Sequence, residues 1–239
     1  MKTIFLTAGR GSRLNHLTKK NHKSLLSFNA KESILGKLVK QFTKQGIQKK
    51  NITFITGYKS KQIFNHFGSR YKYFYYNNFN NTNNLHTLIA ANNTISNNDT
   101  IISFSDIVIQ PEAIRKIYSK KIDKITLLID TSKVRNGTMK VELKNKNLIQ
   151  RVGRIPRKIA NGNFIGILKI PKNKIDVFKK FLLSAKSKNK NSYYTEILND
   201  LINAKNEKIK FIDIKNHKWI EVDNLSDYKK MKNRARNFN

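Results

Sequence analysis

The stretch F-L-T-A-G-R-G-S-R-L-N-H-L-T-K-K-N-H-K-S-L-L, Phe5 to Leu26, decides how the chain is read. It begins inside an apolar run, Thr3 to Thr7, with the length and composition of a buried strand, and Gly9 and Gly11 follow at once. In a parallel α/β sheet, ligands sit beyond the carboxyl ends of the strands, where loop N–H groups meet an anion and a missing Cβ permits close approach. Two familiar phosphate loops do not fit: no Gly stands three residues after Gly11, as a dinucleotide fingerprint needs, and there is no Gly-Lys-Ser/Thr. Arg13 and, ten residues later, Lys23 lift the segment above an ordinary strand-end turn, because both side chains are ready phosphate partners.

Working outward, Ile34, Leu35, Leu38, Val39 and Phe42 share one helical face, and Ile52 to Thr56 reads as a second strand. Lys59 to Phe67 is expected to be helical, Tyr71 to Tyr76 extended, Asn84 to Asn93 helical and Thr100 to Phe104 extended. Strands separated by helical spacings of this length indicate crossover units and a largely parallel sheet covered on both faces. After Asp106 the rhythm changes to strands at Ile125 to Ile129, Met139 to Leu143, Leu148 to Val152 and Phe164 to Ile170, with turn dipeptides at Asn136-Gly137 and Asn161-Gly162 and few helices between. Helices resume at Asp176 to Ser184 and Tyr193 to Ala204, and a strand pair, Ile209 to Ile214 with Trp219 to Val222, leads to a last helix from Leu225. The expectation is one α/β domain over residues 1–239: a Rossmann-like, mostly parallel mixed sheet flanked by helices, with a small lid-like insertion in the second half.

The chain has 48 Lys and Arg against 15 Asp and Glu, a formal charge of +33. The excess is mostly Lys, accompanied by abundant Asn and Ile, and the lysines are spread along the chain, so A/T-rich codons explain the charge better than a dedicated polyanion site. Nucleic acid is therefore a disfavoured partner. With an apolar fraction of 38% the chain has the material for a core. Cysteine is absent, which excludes disulfides and thiolate metal sites. No apolar stretch approaches eighteen residues, so membrane insertion is not expected and a cytoplasmic location is the default. No H-x-x-x-H pair and no Gly-x-Ser-x-Gly elbow occurs.

The opening segment resembles the signature loop of the nucleotidyltransferases that join a nucleoside triphosphate to a phosphorylated small molecule, L-A-A-G-x-G-x-R-L-x-P-L-T-x-x-x-P-K-x-L-L. Here Thr7 replaces the second small residue, and His16 and His22 replace both prolines, which is expected to loosen the loop. The resemblance extends over nearly the whole chain. Asn77 with Thr82-Asn83-Asn84 and Thr87-Leu88, Ser105-Asp106-Ile107-Val108, Tyr193-Tyr194-Thr195-Glu196 and Trp219-Ile220-Glu221-Val222-Asp223 are similar to motifs of the branch acting on phosphocholine and aminoalkyl phosphonates. Gly162-Asn163-Phe164-Ile165-Gly166 resembles the family's G-E-y-I-G, with Asn for Glu; in the sugar enzymes that Glu commonly contacts hydroxyls, so the resemblance implies that Asn163 weighs against an ordinary sugar acceptor.

The resemblance implies a nucleotide-diphospho-sugar transferase type of fold and a Mg²⁺-dependent transfer of CMP from CTP to a phosphate- or phosphonate-bearing acceptor, with pyrophosphate released. It implies Arg13 and Lys23 as catalytic cations. Leu6, Ala8, Gly9, Arg10, Gly11, Ser12, Gly57, Asn83 and Ser105 would bind the nucleotide, with Leu6, Ala8, Gly57 and Asn83 at the base. Asp106 and Asp223 would hold the metal. Tyr193, Tyr194, Glu196, Trp219 and Glu221 could wall the acceptor through cation–π contacts and ion pairs. A homodimer is compatible with this reading. The alternatives are a sugar-1-phosphate uridylyl- or thymidylyltransferase and a non-catalytic basic protein that binds nucleic acid.

Overall fold

The computed structural model describes residues 1–205 and 207–238; Asn206 and Asn239, which the single-domain reading includes, lie outside them. The first half runs β1 (Lys2–Thr7), α1 (His16–Lys20), α2 (Ile34–Lys44), β2 (Ile52–Thr56), α3 (Ser60–Phe67), β3 (Lys72–Tyr75), α4 (Asn84–Ala90) and β4 (Thr100–Phe104). The second half runs β5 (Ile107–Ile109), α5 (Pro111–Ser119), β6 (Thr126–Asp130), β7 (Lys140–Asn145), β8 (Leu148–Gly153), β9 (Gly162–Ile170), α6 (Ile175–Ser184), α7 (Thr195–Lys205), β10 (Lys210–Asp213), β11 (Trp219–Glu221) and α8 (Leu225–Asn233).

Among the described residues, nine strands form a mixed sheet in the order β3-β2-β1-β4-β9-β6-β10-β8-β7. The first four run parallel, so the carboxyl ends of β1, β2 and β4 emerge side by side at Ala8, Gly57 and Ser105. Alternation along β1 splits the core in two: Ile4 packs with Leu85, Leu88, Phe178 and Leu198 on one face, and Phe5 with Leu38, Phe42, Phe54 and Ile114 on the other. Ser33 caps α2, its hydroxyl accepting the Gly36 N–H at 3.0 Å, and the predicted stripe Ile34, Leu35, Leu38, Val39 and Phe42 is buried. Each such side chain contributes about 1.5–3 kcal/mol on leaving water, so this stripe fixes the helix more firmly than its propensity does.

Three features differ from the expectation. Between Asp106 and Ile125 the chain forms strand β5 and helix α5; the helix has Pro111 at its first turn and buries Ala113, Ile114 and Ile117, a short i, i+1, i+4 pattern. Strands β10 and β11 are not partners. β10 joins the large sheet parallel to β6, while β11 pairs antiparallel with β5, setting Glu221 opposite Ile107. A run with one apolar face satisfies either arrangement, and only the tertiary partner decides. Gly162 belongs to strand β9 rather than to a turn: a Cβ there would stand 2.7 Å from the Asp130 carbonyl oxygen. The β7–β8 hairpin extends the far edge of the sheet, and β8 packs against α7.

Candidate active site

The segment after β1 turns where the sequence places glycine. Gly11 has φ +63°, and a Cβ on it would lie 2.7 Å from Lys23 Cδ, so this glycine also makes room for the lysine to cross the loop. Gly9 faces open space, and at Gly57 a Cβ would meet Phe79 at 2.7 Å and the Ala8 carbonyl oxygen at 2.9 Å.

The absent prolines do not leave the loop loose. The start of α3 holds it: Tyr58 donates to Thr18 O at 3.0 Å, Lys59 to Lys19 O at 2.8 Å, and Gln62 to Lys20 O at 2.8 Å while accepting the His22 N–H at 2.7 Å. His22 is fully buried; its Nε2 bonds Thr7 O at 2.8 Å and its Nδ1 accepts the Ser24 N–H at 3.2 Å. That pair of bonds fixes the neutral tautomer, with the proton on Nε2. Ser105 donates to Leu6 O at 2.7 Å and meets the Ser24 hydroxyl at 2.8 Å, tying β1, β4 and the Lys23 segment into one unit. Side-chain anchors thus replace the preset φ of proline.

Burial, opposed by the bond to Thr7, lowers the His22 pKa from 6.5 to about 4. The unfolded chain takes up a proton near pH 6.5 that the folded chain refuses until about pH 4, so this contribution to stability is whole above pH 6.5 and declines as pH falls toward 4. The expected span is roughly 3 kcal/mol. Urea midpoints of the wild type and His22→Gln at pH 7.5 and 4.5 measure it; equal pH slopes in the two proteins would contradict the assignment.

Around this loop a cavity of about 410 Å³ is lined by Leu6 to Arg13, Lys23, Ser105, Asp106, Glu221 and Asp223, with Phe79, Asn83, Thr87, Arg154 and Tyr193 on the remaining walls. At its centre Lys23 Nζ bonds Asp106 Oδ2 and lies 3.5 Å from Asp223 Oδ1, and Arg13 reaches Asp223 Oδ2 at 3.3 Å. Glu221, carried by β11, completes a cluster in which one oxygen from each of Asp106, Glu221 and Asp223 lies within 4.8 Å of the others. Burial alone would lower the Lys23 pKa; the charges of Asp106 and Asp223 outweigh it and hold the ammonium firmly protonated. Burial, then the charges of Asp106 and Asp223, push Glu221 well above the usual carboxylate range.

Asp106 Oδ1 is buried with no hydrogen-bond partner among the described residues. An orphaned carboxylate oxygen beside two further carboxylates is a donor set suited to a hard divalent cation, which takes oxygen ligands and removes the mutual repulsion.

Asn83 lines the cavity but its side chain accepts the Asn84 N–H at 2.8 Å, capping α4. Arg10 and Ser12 lie on the cavity rim, with Arg10 5.5 Å above the Tyr58 ring. Of the five residues expected to wall an acceptor, Tyr193 and Glu221 line this cavity and Tyr194, Glu196 and Trp219 do not. Tyr193 faces the cavity, but Tyr194 is fully buried against Phe104 and Phe164, because its ring fills the core between them. Glu196 turns back to accept the Tyr193 N–H and the Ser192 hydroxyl, both at 3.0 Å, at the start of α7. Trp219 is buried, its indole N–H donating to Asp130 Oδ2 at 2.7 Å. Only Glu221 of this set joins the carboxylates.

Phe79, on the cavity wall, and the charged residues Arg154, Arg135 and Asp130 escaped the sequence reading. Arg154, at the end of β8, stacks 4.7 Å over Tyr193 and bonds its hydroxyl. Arg135 lies 4.2 Å over Trp219 and donates to its carbonyl at 3.0 Å. Asp130, buried, accepts from Trp219, Ser132 and Arg135. The one available signal was a lone Asp at the end of an apolar strand.

A model of the nucleotidyl transferase family matches residues 2–237. In structure the chain is similar to a putative glucose-1-phosphate thymidylyltransferase from Bacillus anthracis, with a TM-score of 0.80 and 18% identity over 100% of this chain and 96% of that one. It is similar to the CTP:phosphocholine cytidylyltransferase of Streptococcus pneumoniae, with a TM-score of 0.75 and 16% identity over 97% of each chain. It is also similar to the inositol-1-phosphate CTP transferase from T. maritima, with a TM-score of 0.74 and 18% identity over 98% of this chain and 96% of that one. No curated protein matches its sequence. No helix among the described residues is long and apolar enough to cross a membrane.

Proposed function

The chain belongs to the nucleotidyl transferase family, and from that premise we propose that it transfers CMP from CTP to a small acceptor bearing a phosphate or phosphonate, releasing pyrophosphate. The observation that carries this reading is the meeting of the glycine loop, Arg13, Lys23 and three carboxylates in one cavity. The relatives that use CTP on phosphocholine and on inositol-1-phosphate, together with the Asn77 to Leu88 segment, favour cytidine.

In the proposed reaction an acceptor oxygen forms a bond to the α-phosphorus of CTP. The bond from that phosphorus to the bridging oxygen breaks, and its electron pair leaves on pyrophosphate. Both reactants are anions, so the protein's task is to cancel repulsion and hold the groups in line. Backbone N–H groups from Ala8 to Gly11 would cradle the triphosphate. Lys23, rooted between Asp106 and Asp223, would offset charge at the α-phosphate, and the more exposed Arg13 would hold the departing pyrophosphate. Asp106, Glu221 and Asp223 would hold Mg²⁺, which when bound supplies Lewis-acid neutralisation of the phosphate oxygens.

The sugar-1-phosphate reading has the fold likeness to the thymidylyltransferase in its favour. Against it stands Asn163, which takes the place of the family's Glu. Its amide donates to Asp130 O and Lys133 O, and its oxygen accepts from the Arg135 N–H and the Thr138 hydroxyl, so no part of it is free for a sugar hydroxyl. Pyrophosphate release with each of the four ribonucleoside triphosphates and dTTP, against phosphocholine, 2-aminoethylphosphonate, phosphoserine, inositol-1-phosphate and glucose-1-phosphate, tests the choice. CTP should exceed every other nucleotide by about tenfold or more, the size of one discriminating hydrogen bond. Preference for UTP or dTTP with glucose-1-phosphate would replace this reading with the sugar-nucleotide one, and no release with any pair would end it.

A further inference from the structure

A second and larger cavity, about 1080 Å³, borders Glu221 and Asp223. It shares Arg13, Gly137, Thr138, Glu221 and Asp223 with the nucleotide-sized cavity, so the two adjoin at Glu221 and Asp223. Away from the junction the sign reverses. Eight of the 23 residues lining the larger cavity are Lys or Arg, against 48 of 239 in the whole chain, and its acids are Glu221 and Asp223 at the junction with Asp227 beside them.

Trp219 is the only tryptophan, and tryptophan offers the best face for a quaternary ammonium head. That face is taken. The Arg135 guanidinium lies 4.2 Å over the ring, held by the Trp219 carbonyl at 3.0 Å and by buried Asp130 at 3.4 Å. Asn163 fixes the loop that delivers it, accepting the Arg135 N–H at 2.8 Å. Arg234, from the end of α8, lines the same cavity, and its charge opposes that of Arg135; it has no carboxylate within ion-pair distance among the described residues. Asp130 is the one carboxylate within ion-pair reach of either guanidinium among the described residues, which leaves several N–H donors for an anion.

We propose that the larger cavity is an acceptor subsite for a second anionic group, so that the acceptor carries a carboxylate or phosphate at the end remote from its reacting phosphate, bound by Arg135 and Arg234. The proposal rests on the transferase reading and narrows its acceptor class: a cationic head such as choline is disfavoured. One end of the acceptor meets the cation-holding carboxylates and the other end the guanidiniums.

The experiment compares acceptors that differ by an anionic group at the far end, phosphoserine with phosphoethanolamine and 3-phosphoglycerate with the similarly sized glycerol 3-phosphate, plus 1,3-propanediol bisphosphate with its monophosphate. All are assayed with CTP and Mg²⁺ on wild type, Arg234→Gln and a remote control, Lys180→Gln. The expected result is a preference for the doubly anionic partner of about tenfold or more in kcat/KM, lost in Arg234→Gln through acceptor KM and kept in Lys180→Gln. The carboxylate and phosphate pairs separate the two sources of the charge. Turnover without that preference, or with phosphocholine preferred, overturns the subsite and leaves the transferase reading standing. A rise in the KM for CTP in place of the acceptor's also overturns it, because the arginines would then serve the triphosphate. Should no pair turn over, the transferase reading fails by itself, and calorimetry of 3-phosphoglycerate binding to the same proteins decides: weakening in Arg234→Gln alone supports the subsite, and equal binding removes it.

Discussion

Lys23→Met is expected to lower the rate of pyrophosphate release from CTP by roughly 10³-fold, the scale of removing one preorganised charge from a reaction centre. The lysine is the hub of the site. Its ammonium is bonded to Asp106, stands 3.5 Å from Asp223, and is the charge that keeps three neighbouring carboxylates tolerable in a shielded place. Removing one partner of such a buried pair leaves charge uncompensated, at a cost of about 3–5 kcal/mol, so a lower thermal midpoint should accompany the lost rate. The two effects separate with Mg²⁺. A cation binding the freed carboxylates stabilises the folded state by mass action, so saturating Mg²⁺ should restore much of the midpoint while the rate stays low. Restored activity together with restored stability would show that Lys23 is only a structural counter-charge. Lys23→Arg is expected to fare little better, since the lysine stem already crosses Gly11 in van der Waals contact and a planar guanidinium has no equivalent path.

The second large effect concerns Asp106→Asn. This change keeps the side-chain shape and leaves Lys23 its second partner, Asp223 at 3.5 Å, so the fold should lose less stability than in Lys23→Met, which takes the counter-charge from both aspartates. Activity should nevertheless fall by about 10³-fold or more, and the Mg²⁺ concentration for half-maximal residual rate should rise by about tenfold, because Asp106 Oδ1 is the buried oxygen without a partner. Pyrophosphate release titrated with Mg²⁺, beside a urea unfolding curve, measures both. Retention of more than a tenth of the wild-type rate would place the reaction centre elsewhere.

Lys23, Asp106 and Asp223 meet from three distant parts of the chain. Asp106 and Asp223 are joined through β5 and β11, whose antiparallel pairing puts Val222 N 2.9 Å from Asp106 O. The sequence reading paired the Trp219 strand with the Ile209 strand, yet it named both aspartates, because it identified them by motif and by position after a strand. Motif and pairing are independent signals, and only the first was legible.

The acceptor wall shows the opposite case. Tyr194, Glu196 and Trp219 have the residue types of a cation-binding site, but a ring's chemistry is the same in a core and in a pocket. Whether an aromatic is exposed depends on what lies across from it, and Phe104, Phe164, Asp130 and Arg135 are remote in sequence. The loss of two loop prolines misled for a related reason. Rigidity was inferred from local φ restriction, whereas it comes from Tyr58, Lys59, Gln62 and buried His22. His22 itself carries no sign of burial in its neighbours Asn21 and Lys23.

What the sequence determined by itself is the periodic part: a parallel α/β half, the amphipathic face of α2, and a glycine turn after β1 with Arg13 and Lys23 at fixed distances along the chain. These follow from local rules, because side-chain direction in a strand or helix is set by the backbone within a few residues and glycine alone accepts the φ that the turn requires. Tertiary structure alone decided which strand accompanies β5, which aromatic rings are sealed in the core, and that Arg135 covers Trp219. Those outcomes are competitions among distant segments for the same buried partners, and no window of sequence contains both contestants.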